Sequence, residues 1–338
     1  MQPIERFLMP FDDGHLSLDG AGPVLVVRPE PNPGLGRFAP EGLTVEHGFR
    51  PAVDRLLSDG HEVTPEAEGL YGLAILHITR QRDANRSLIA RTWDRLRPGG
   101  RLVIDGAKTD GIDSLLKALR TWVPVDQTIS KAHGKVAWTA PKETPFPQEA
   151  GWHGALDLSA NPDGFQTSSL MFSPDHPDPG SALLAQVLPG RLRGQVADLG
   201  AGWGWLALQA LDSNPEITAI DLIEAEHQAV QAARANVTDP RATVIWADAT
   251  SLSAPDPAYD RVISNPPFHT GRKPDPSLGQ AFILAAARIL KPQGKFLMVA
   301  NRQLPYEAEL DRCFRHTQVL EQTGTYKVIE AIRPRSKV

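Results

Sequence analysis

The sequence predicts an α/β protein built from two tandem Rossmann-like domains, each a mostly parallel, twisted sheet flanked by helices. Three observations carry this. Residues 196–204 form an apolar strand that breaks into a glycine turn, and the helix-like run 205–211 follows at once, which is the opening unit of a nucleotide-binding sheet. Apolar strands then recur at 217–223, 242–247 and 259–264, with a helical pattern at 226–236 between the first two. Finally, residues 96–104 align without gaps to residues 290–298, and each copy is preceded by an amphipathic helix, over 84–94 and 278–288, so the α/β unit is repeated.

In the first half, the place of the glycine turn is taken by residues 24–31, whose Pro29 and Pro31 lack N–H donors. Residues 74–79 stand where the second half carries its most distinctive motif, described below. Gly134-Lys135-Val136 echoes Tyr326-Lys327-Val328, and the proline-rich run 141–147 reads as the joint. The expected division is therefore a first domain over 1–145, without cofactor or catalysis, and a second over 150–338. Arg80, Arg82, Arg86, Arg91, Arg95, Arg97 and Arg101 face only Asp83 and Asp94 within the same stretch, in a chain of formal net charge −5. This local basic stripe is expected to contact phosphates, although arginines that bury their stems on a solvated helix face would give the same pattern.

In the second half the glycines follow G-x-G-x-G (Gly200, Gly202, Gly204). The dinucleotide fingerprint needs a small third residue where this chain has Trp205, so a nicotinamide dinucleotide is disfavoured. The glycines let the backbone approach a ligand, and Asp198 can accept from an amine or hydroxyl. An acid at the end of the second strand suits the two hydroxyls of a ribose. Glu224 and Asp221 compete for that role; Glu224 is favoured because the next helix begins almost immediately after it. Asp248 ends the third strand, where an adenine amino group could be recognised. Asn265-Pro266-Pro267-Phe268 then closes the fourth. The Asn265 side-chain carbonyl and the Pro266 backbone carbonyl supply two acceptors for the two hydrogens of a planar amine, and Phe268 supplies a face for a ring to stack on. A Pro-Pro turn ending a strand would also account for the run taken alone.

The order Asp198-Leu-Gly-Ala-Gly-Trp-Gly, Glu224, Asp248, Asn265-Pro-Pro-Phe resembles the class I S-adenosylmethionine-dependent methyltransferases that act on exocyclic or amide nitrogens. Phe172-Ser173, Asp178-Pro-Gly-Ser181, His269, Val299-Ala-Asn301, Leu304-Pro-Tyr306 and Tyr326-Lys-Val328 narrow the resemblance to the bacterial ribosomal RNA guanine-N2 methyltransferases of the small-subunit methyltransferase C type and their large-subunit relatives. The resemblance implies S-adenosyl-L-methionine as cofactor, held by Asp178, Asp198, Gly200, Gly202, Gly204, Glu224 and Asp248. It implies catalysis by Asn265, Pro266, Pro267 and Phe268 on the N2 of a guanine in ribosomal RNA, 16S in this type, free or in the small ribosomal subunit. It also implies a sheet that ends in an antiparallel hairpin, which 295–301 and 325–332 fit. Related runs serve DNA adenine and protein glutamine methyltransferases, and a silent RNA-binding protein built from two decayed domains is the alternative of another class. The intact glycine turn and Asn-Pro-Pro-Phe argue against decay in the second domain.

Composition agrees. The chain has 338 residues, enough for two domains, and 41% hydrophobic content, enough for two ordinary cores. No apolar run approaches the ~18 residues of a membrane span, and the start at Met1 carries no signal-peptide pattern, so a cytoplasmic protein is expected. Cys313 is the only cysteine and is expected in the core; no metal site is expected. P-loop, H-E-x-x-H and G-x-S-x-G motifs are absent, which removes the commonest hydrolase readings.

Overall fold

A computed structural model describes residues 5–252, 258–267 and 276–335. The chain divides into two compact units, Met1–Asp157 with Ser168–Leu170, and Leu158–Thr167 with Met171–Val338.

The first unit contains strands β1 (Val24–Val27), β2 (Leu43–Glu46), β3 (Val63–Thr64), β4 (Tyr71–His77), β5 (Leu96–Ala107), β6 (Val125–Lys131) and β7 (Gly134–Thr139). They form one sheet in the order β3-β2-β1-β4-β5-β7-β6. Pairing is parallel from β3 to β5 and antiparallel at β7 and β6. All four residues of β1 are fully buried, as a central strand covered on both faces requires. Its helices are the one-turn α1 (Met9–Asp12), α2 (Arg50–Ser58), α3 (Arg82–Asp94) and α4 (Ile112–Leu119). α3 buries Leu88, Ile89 and Trp93 in the core. The proline-rich run 141–147 belongs to this unit: Lys142 Nζ donates to the carbonyls of Asp94 and Leu96 at 3.0 and 2.7 Å, and Phe146 lies in the same core as Trp93.

The second unit opens with a two-stranded ribbon, β8 (Ser159–Ala160) and β9 (Gln166–Thr167). Its main sheet comprises β10 (Gly194–Leu199), β11 (Ile217–Glu224), β12 (Ala242–Trp246), β13 (Tyr259–Ser264), β14 (Leu290–Asn301), β15 (Phe314–Gln322) and β16 (Tyr326–Pro334). The order β12-β11-β10-β13-β14-β16-β15 repeats that of the first sheet strand for strand. Helices α5 (Pro179–Val187), α6 (Trp205–Ser213), α7 (His227–Asn236), α8 (Pro276–Ile289) and α9 (Glu307–Cys313) accompany it. Buried Cys313 ends α9, and burial pushes its thiol up to about 11. The expected hairpin segments, 295–301 and 325–332, fall in β14 and β16, which pair antiparallel but are not consecutive: β15 intervenes in the chain and makes the terminal hairpin with β16. Nothing in the periodicity of β15 announces it, because residues 315–319 are exposed on both faces and lack alternation. Among the described residues no helix is long and apolar enough to cross a membrane.

Register makes the two sheets comparable. Val27 lies opposite Glu46 and Leu76, as Leu199 lies opposite Ile223 and Ser264. Arg28, His47 and His77 therefore stand where the second unit has Gly200, Glu224 and Asn265. In the first unit these strand ends are filled by its own residues. Arg6 pairs with Asp105 at 2.6 and 3.2 Å, His77 lies 3.4 Å from Asp105, and the Phe7 ring meets His77 edge-on at 5.1 Å. Burial, with Arg28 and His77 nearby, lowers the pKa of His47 to about 3, and its neutral ring accepts from the Phe49 N–H at 3.0 Å.

Six of the seven arginines of the expected basic stripe have an acidic partner within the same unit. Arg91 pairs with Asp157 at 2.5 Å, Arg101 with Asp126 at 2.6 Å, Arg86 with Asp83 at 3.1 Å, Arg82 with Asp83 at 3.3 Å and Arg80 with Asp110 at 3.4 Å. Arg95 pairs with Glu46, and Arg97 donates to the Gly20 and Ala21 carbonyls. Most of these partners come from outside the 80–101 stretch, where a count of neighbouring acids does not reach.

Candidate active site

The site lies at the carboxyl ends of β10, β11 and β13, where parallel α/β sheets place their ligands. β10 delivers Asp198, which is 1% exposed and whose two carboxylate oxygens have no hydrogen-bond partner among the described residues. Burial, helped by the nearby Glu224 charge, raises its pKa to about 8. A buried carboxyl left without partners costs stability unless a ligand satisfies it.

The glycine turn follows. Gly202 has φ +56° and nothing within 4 Å of where a Cβ would stand, so its bare backbone borders open space. Gly204, at φ +91°, is closed to any side chain because a Cβ there would lie 2.6 Å from Val237 Cγ2. The turn is tied down from three directions. Glu224 Oε2 accepts from the Gly202 N–H at 2.8 Å, Asn236 Nδ2 donates to the Trp203 carbonyl at 2.9 Å, and Trp203 Nε1 donates to the Ser173 carbonyl at 3.3 Å. Gly200 N–H joins the carbonyl of Ile223 at 2.8 Å, which extends the β10–β11 pairing into the turn.

Glu224 also accepts from the Glu226 N–H at 2.8 Å. Burial raises its pKa, and the backbone donors of Glu226 and Gly202 oppose that rise. Asp221, its competitor in the sequence, accepts from the Tyr259 hydroxyl at 2.6 Å. Asp248 caps the turn Ala249–Ser251, with Oδ1 accepting from Thr250 N–H at 2.8 Å and its hydroxyl at 2.7 Å.

Asn265 begins where β13 ends. The last residue of that strand, Ser264, donates its hydroxyl to the Leu199 carbonyl at 2.7 Å, so the start of the Asn-Pro-Pro run is fixed against the start of the glycine turn. Asn265 Nδ2 donates to Asp178 Oδ1 and to Ser181 Oγ, both at 2.8 Å. Pro266 is buried and Pro267 exposed. Phe268 and His269 lie outside the described residues.

Asp178 stands here as the N-cap of α5, accepting from Gly180 N–H at 2.8 Å and Ser181 N–H at 3.0 Å, and as the partner of the Asn265 amide. The sequence signals its capping, since an Asp before a Pro at the first helical position starts helices well. Its link to Asn265 has no local signal. Nothing in the residue types of Ser181, Ser264 and Asn236 marks their contacts, and only pairing across the fold reveals them.

The partnerless Asp198 carboxyl and the open approach to Gly202 fit S-adenosylmethionine, whose amino-acid end carries an ammonium for the first and whose body needs bare backbone at the second. Comparison with known proteins agrees. The methyltransferase small domain family matches residues 164–330. The chain is similar to the ribosomal RNA small subunit methyltransferase C of Klebsiella pneumoniae, at 31% identity over 245 residues, covering 70% of this chain and 68% of the relative. That of Psychromonas ingrahamii is 27% identical over 271 residues, covering 79% and 77%. Among solved structures, the T. thermophilus 16S rRNA N2 G1207 methyltransferase in complex with AdoMet and guanosine matches with TM-score 0.77 and 25% identity over 92% of this chain and 88% of that one. With the glycine turn, the strand-end acids and the Asn-Pro-Pro run gathered at the carboxyl ends of the parallel strands, the chain belongs to the ribosomal RNA small subunit methyltransferase C family and is an S-adenosylmethionine-dependent methyltransferase.

Proposed function

We propose that this protein methylates the exocyclic N2 of a guanine in 16S ribosomal RNA, at the nucleotide equivalent to the G1207 named for the T. thermophilus relative, and that it does so in the cytoplasm. The observation that carries the proposal is the Asn265 amide, whose nitrogen is committed to Asp178 and Ser181, which leaves its carbonyl oxygen to meet an amine.

When bound, S-adenosylmethionine supplies an electrophilic sulfonium methyl group. The chain's own residues have to align the acceptor with it and exclude water. An aromatic amine is a poor nucleophile because its lone pair is delocalised into the ring. Accepting both amine hydrogens, at Asn265 Oδ1 and the Pro266 carbonyl, favours a pyramidal nitrogen and stabilises the positive charge that develops there. Preorganised groups of this kind contribute about 3–4 kcal/mol each to the transition state. The N–C bond forms as the S–C bond breaks, and the product ammonium then loses its proton to water, so no strong base is required. Pro267 continues the run, and Phe268 is the residue type that would supply a stacking face. Because the edge of a paired guanine is buried, the base must be flipped out or taken from an open strand. Asp198 holds the amino-acid end of the cofactor, Glu224 the ribose and Asp248 the adenine amino group, with Gly200, Gly202 and Gly204 admitting the body between them.

The first unit enters the proposal as a domain that binds no cofactor and positions the RNA. The filling of its strand ends by Arg6, Phe7, His77 and Asp105 supports the first half of this statement. Mass mapping of 16S RNA tests the whole reading. A guanine monomethylated in wild-type cells is expected to lose its mark in cells lacking the protein, to regain it with the wild-type gene, and to stay unmodified with Asn265→Ala. An unchanged RNA mass map in the deletion strain rejects the substrate.

A further inference from the structure

A carboxamide presents a donor on one side and an acceptor on the other, so Asn265 recognises an amine only when it is turned one way. Its nitrogen has two hydrogens, and two acceptors take them: Asp178 Oδ1 and Ser181 Oγ, each at 2.8 Å. Turning the amide over would set its carbonyl oxygen against an Asp178 oxygen that, as a carboxylate, has no hydrogen to give. Asp178 is itself tied down. It is 9% exposed, and the same Oδ1 accepts from Gly180 N–H at 2.8 Å and Ser181 N–H at 3.0 Å. Capping α5 explains an Asp at this position but not a third donor on the capping oxygen, nor a second α5 side chain on the same amide nitrogen.

We propose that Asp178 and Ser181 are positioning residues that lock the Asn265 amide with its carbonyl oxygen toward the substrate, and so make the site select an atom that bears hydrogens, an amine, over an exocyclic carbonyl oxygen. The inference rests on the proposed amine methylation. The start of α5 thereby sets the polarity of a group 87 residues further along the chain.

Two measurements test this. The first needs no substrate: the side-chain amide resonances of Asn265 in the full-length protein. Asp178→Ser keeps a good N-cap but shortens the side chain, and Ser181→Ala removes the hydroxyl. Each is expected to shift the resonance of one amide hydrogen and leave the other. Resonances that move in neither variant overturn the proposal whatever the substrate is. The second is turnover on ribosomal RNA in a double-mutant cycle. Asp178→Ser is expected to lower kcat by about tenfold or more in the wild-type background and to change it less than about twofold in an Asn265→Ala background, because a residue acting through another has no effect once that other is gone. With S-adenosylmethionine saturating, Asp178→Asn, which keeps the Oδ1 acceptor, should restore most of the turnover. Equal losses in both backgrounds would mean that Asp178 is a helix cap and nothing more. RNA that the wild-type protein does not methylate would instead count against the substrate reading, with the resonance result unaffected.

Discussion

The Gly202 N–H donates to Glu224 Oε2 at 2.8 Å, joining the middle of the glycine turn to the acid at the end of the neighbouring strand. One carboxylate thus shapes the turn, and it is the acid proposed for the ribose.

Glu224→Ala should therefore weaken S-adenosylmethionine binding twice over, through the lost ribose contact and the loosened turn. Asp221→Ala, which removes a partner of Tyr259, should have a much smaller effect. Calorimetry on the two variants checks this: at least about tenfold weaker binding is expected for Glu224→Ala, the loss of one charged hydrogen bond or more. Equal affinities would place the ribose elsewhere. Gly202→Val should abolish binding while the fold persists, since the branched side chain enters the open space beside the turn.

If Asp198 holds the cofactor's ammonium as proposed, binding should be pH-dependent. Its folded pKa, about 8, lies above the ordinary carboxyl value of 3.8, so the free protein keeps this proton through neutrality. The unfolded chain gives the proton up near 3.8, so this group makes the fold less stable as pH rises from about 4 to about 8, with no further change above. An ammonium beside Asp198 favours the carboxylate, and binding at pH 7 should then release a proton. The calorimetric enthalpy of S-adenosylmethionine binding is expected to vary with the ionisation enthalpy of the buffer, and Asp198→Asn should remove that variation. A buffer-independent enthalpy in the wild-type protein would be incompatible with this account.

Charge reversal at Arg86, Arg91 and Arg95 together should act on stability more than on RNA binding, because each arginine already has an acidic partner in the first unit. The largest share is expected from Arg95, whose partner Glu46 has a side chain only 15% exposed, and about 2 kcal/mol lies between the worth of exposed and buried pairs. Thermal unfolding should shift down, while the salt dependence of RNA binding keeps its slope. A flattened slope with an unchanged melting temperature would restore the stripe as a phosphate-binding surface.

The amino-acid sequence by itself determined the repeated α/β unit, the glycine turn after its first strand and the placing of Glu224, Asp248 and Asn265 at strand ends. These are local properties: apolar periodicity selects strand or helix, and glycine or proline ends it, without reference to distant residues. Tertiary structure alone decided which side chains meet. Asp178 reaches Asn265 across 87 positions, Ser264 reaches Leu199 across 65, and Arg95 finds Glu46 across 49. Such partners depend on strand register and on how each helix is seated, which the whole core settles at once. For the same reason the arginines look almost unopposed along the chain while six of the seven have an acidic partner in space, and the edge strand β15, exposed on both faces, exists only because β16 offers it a ladder.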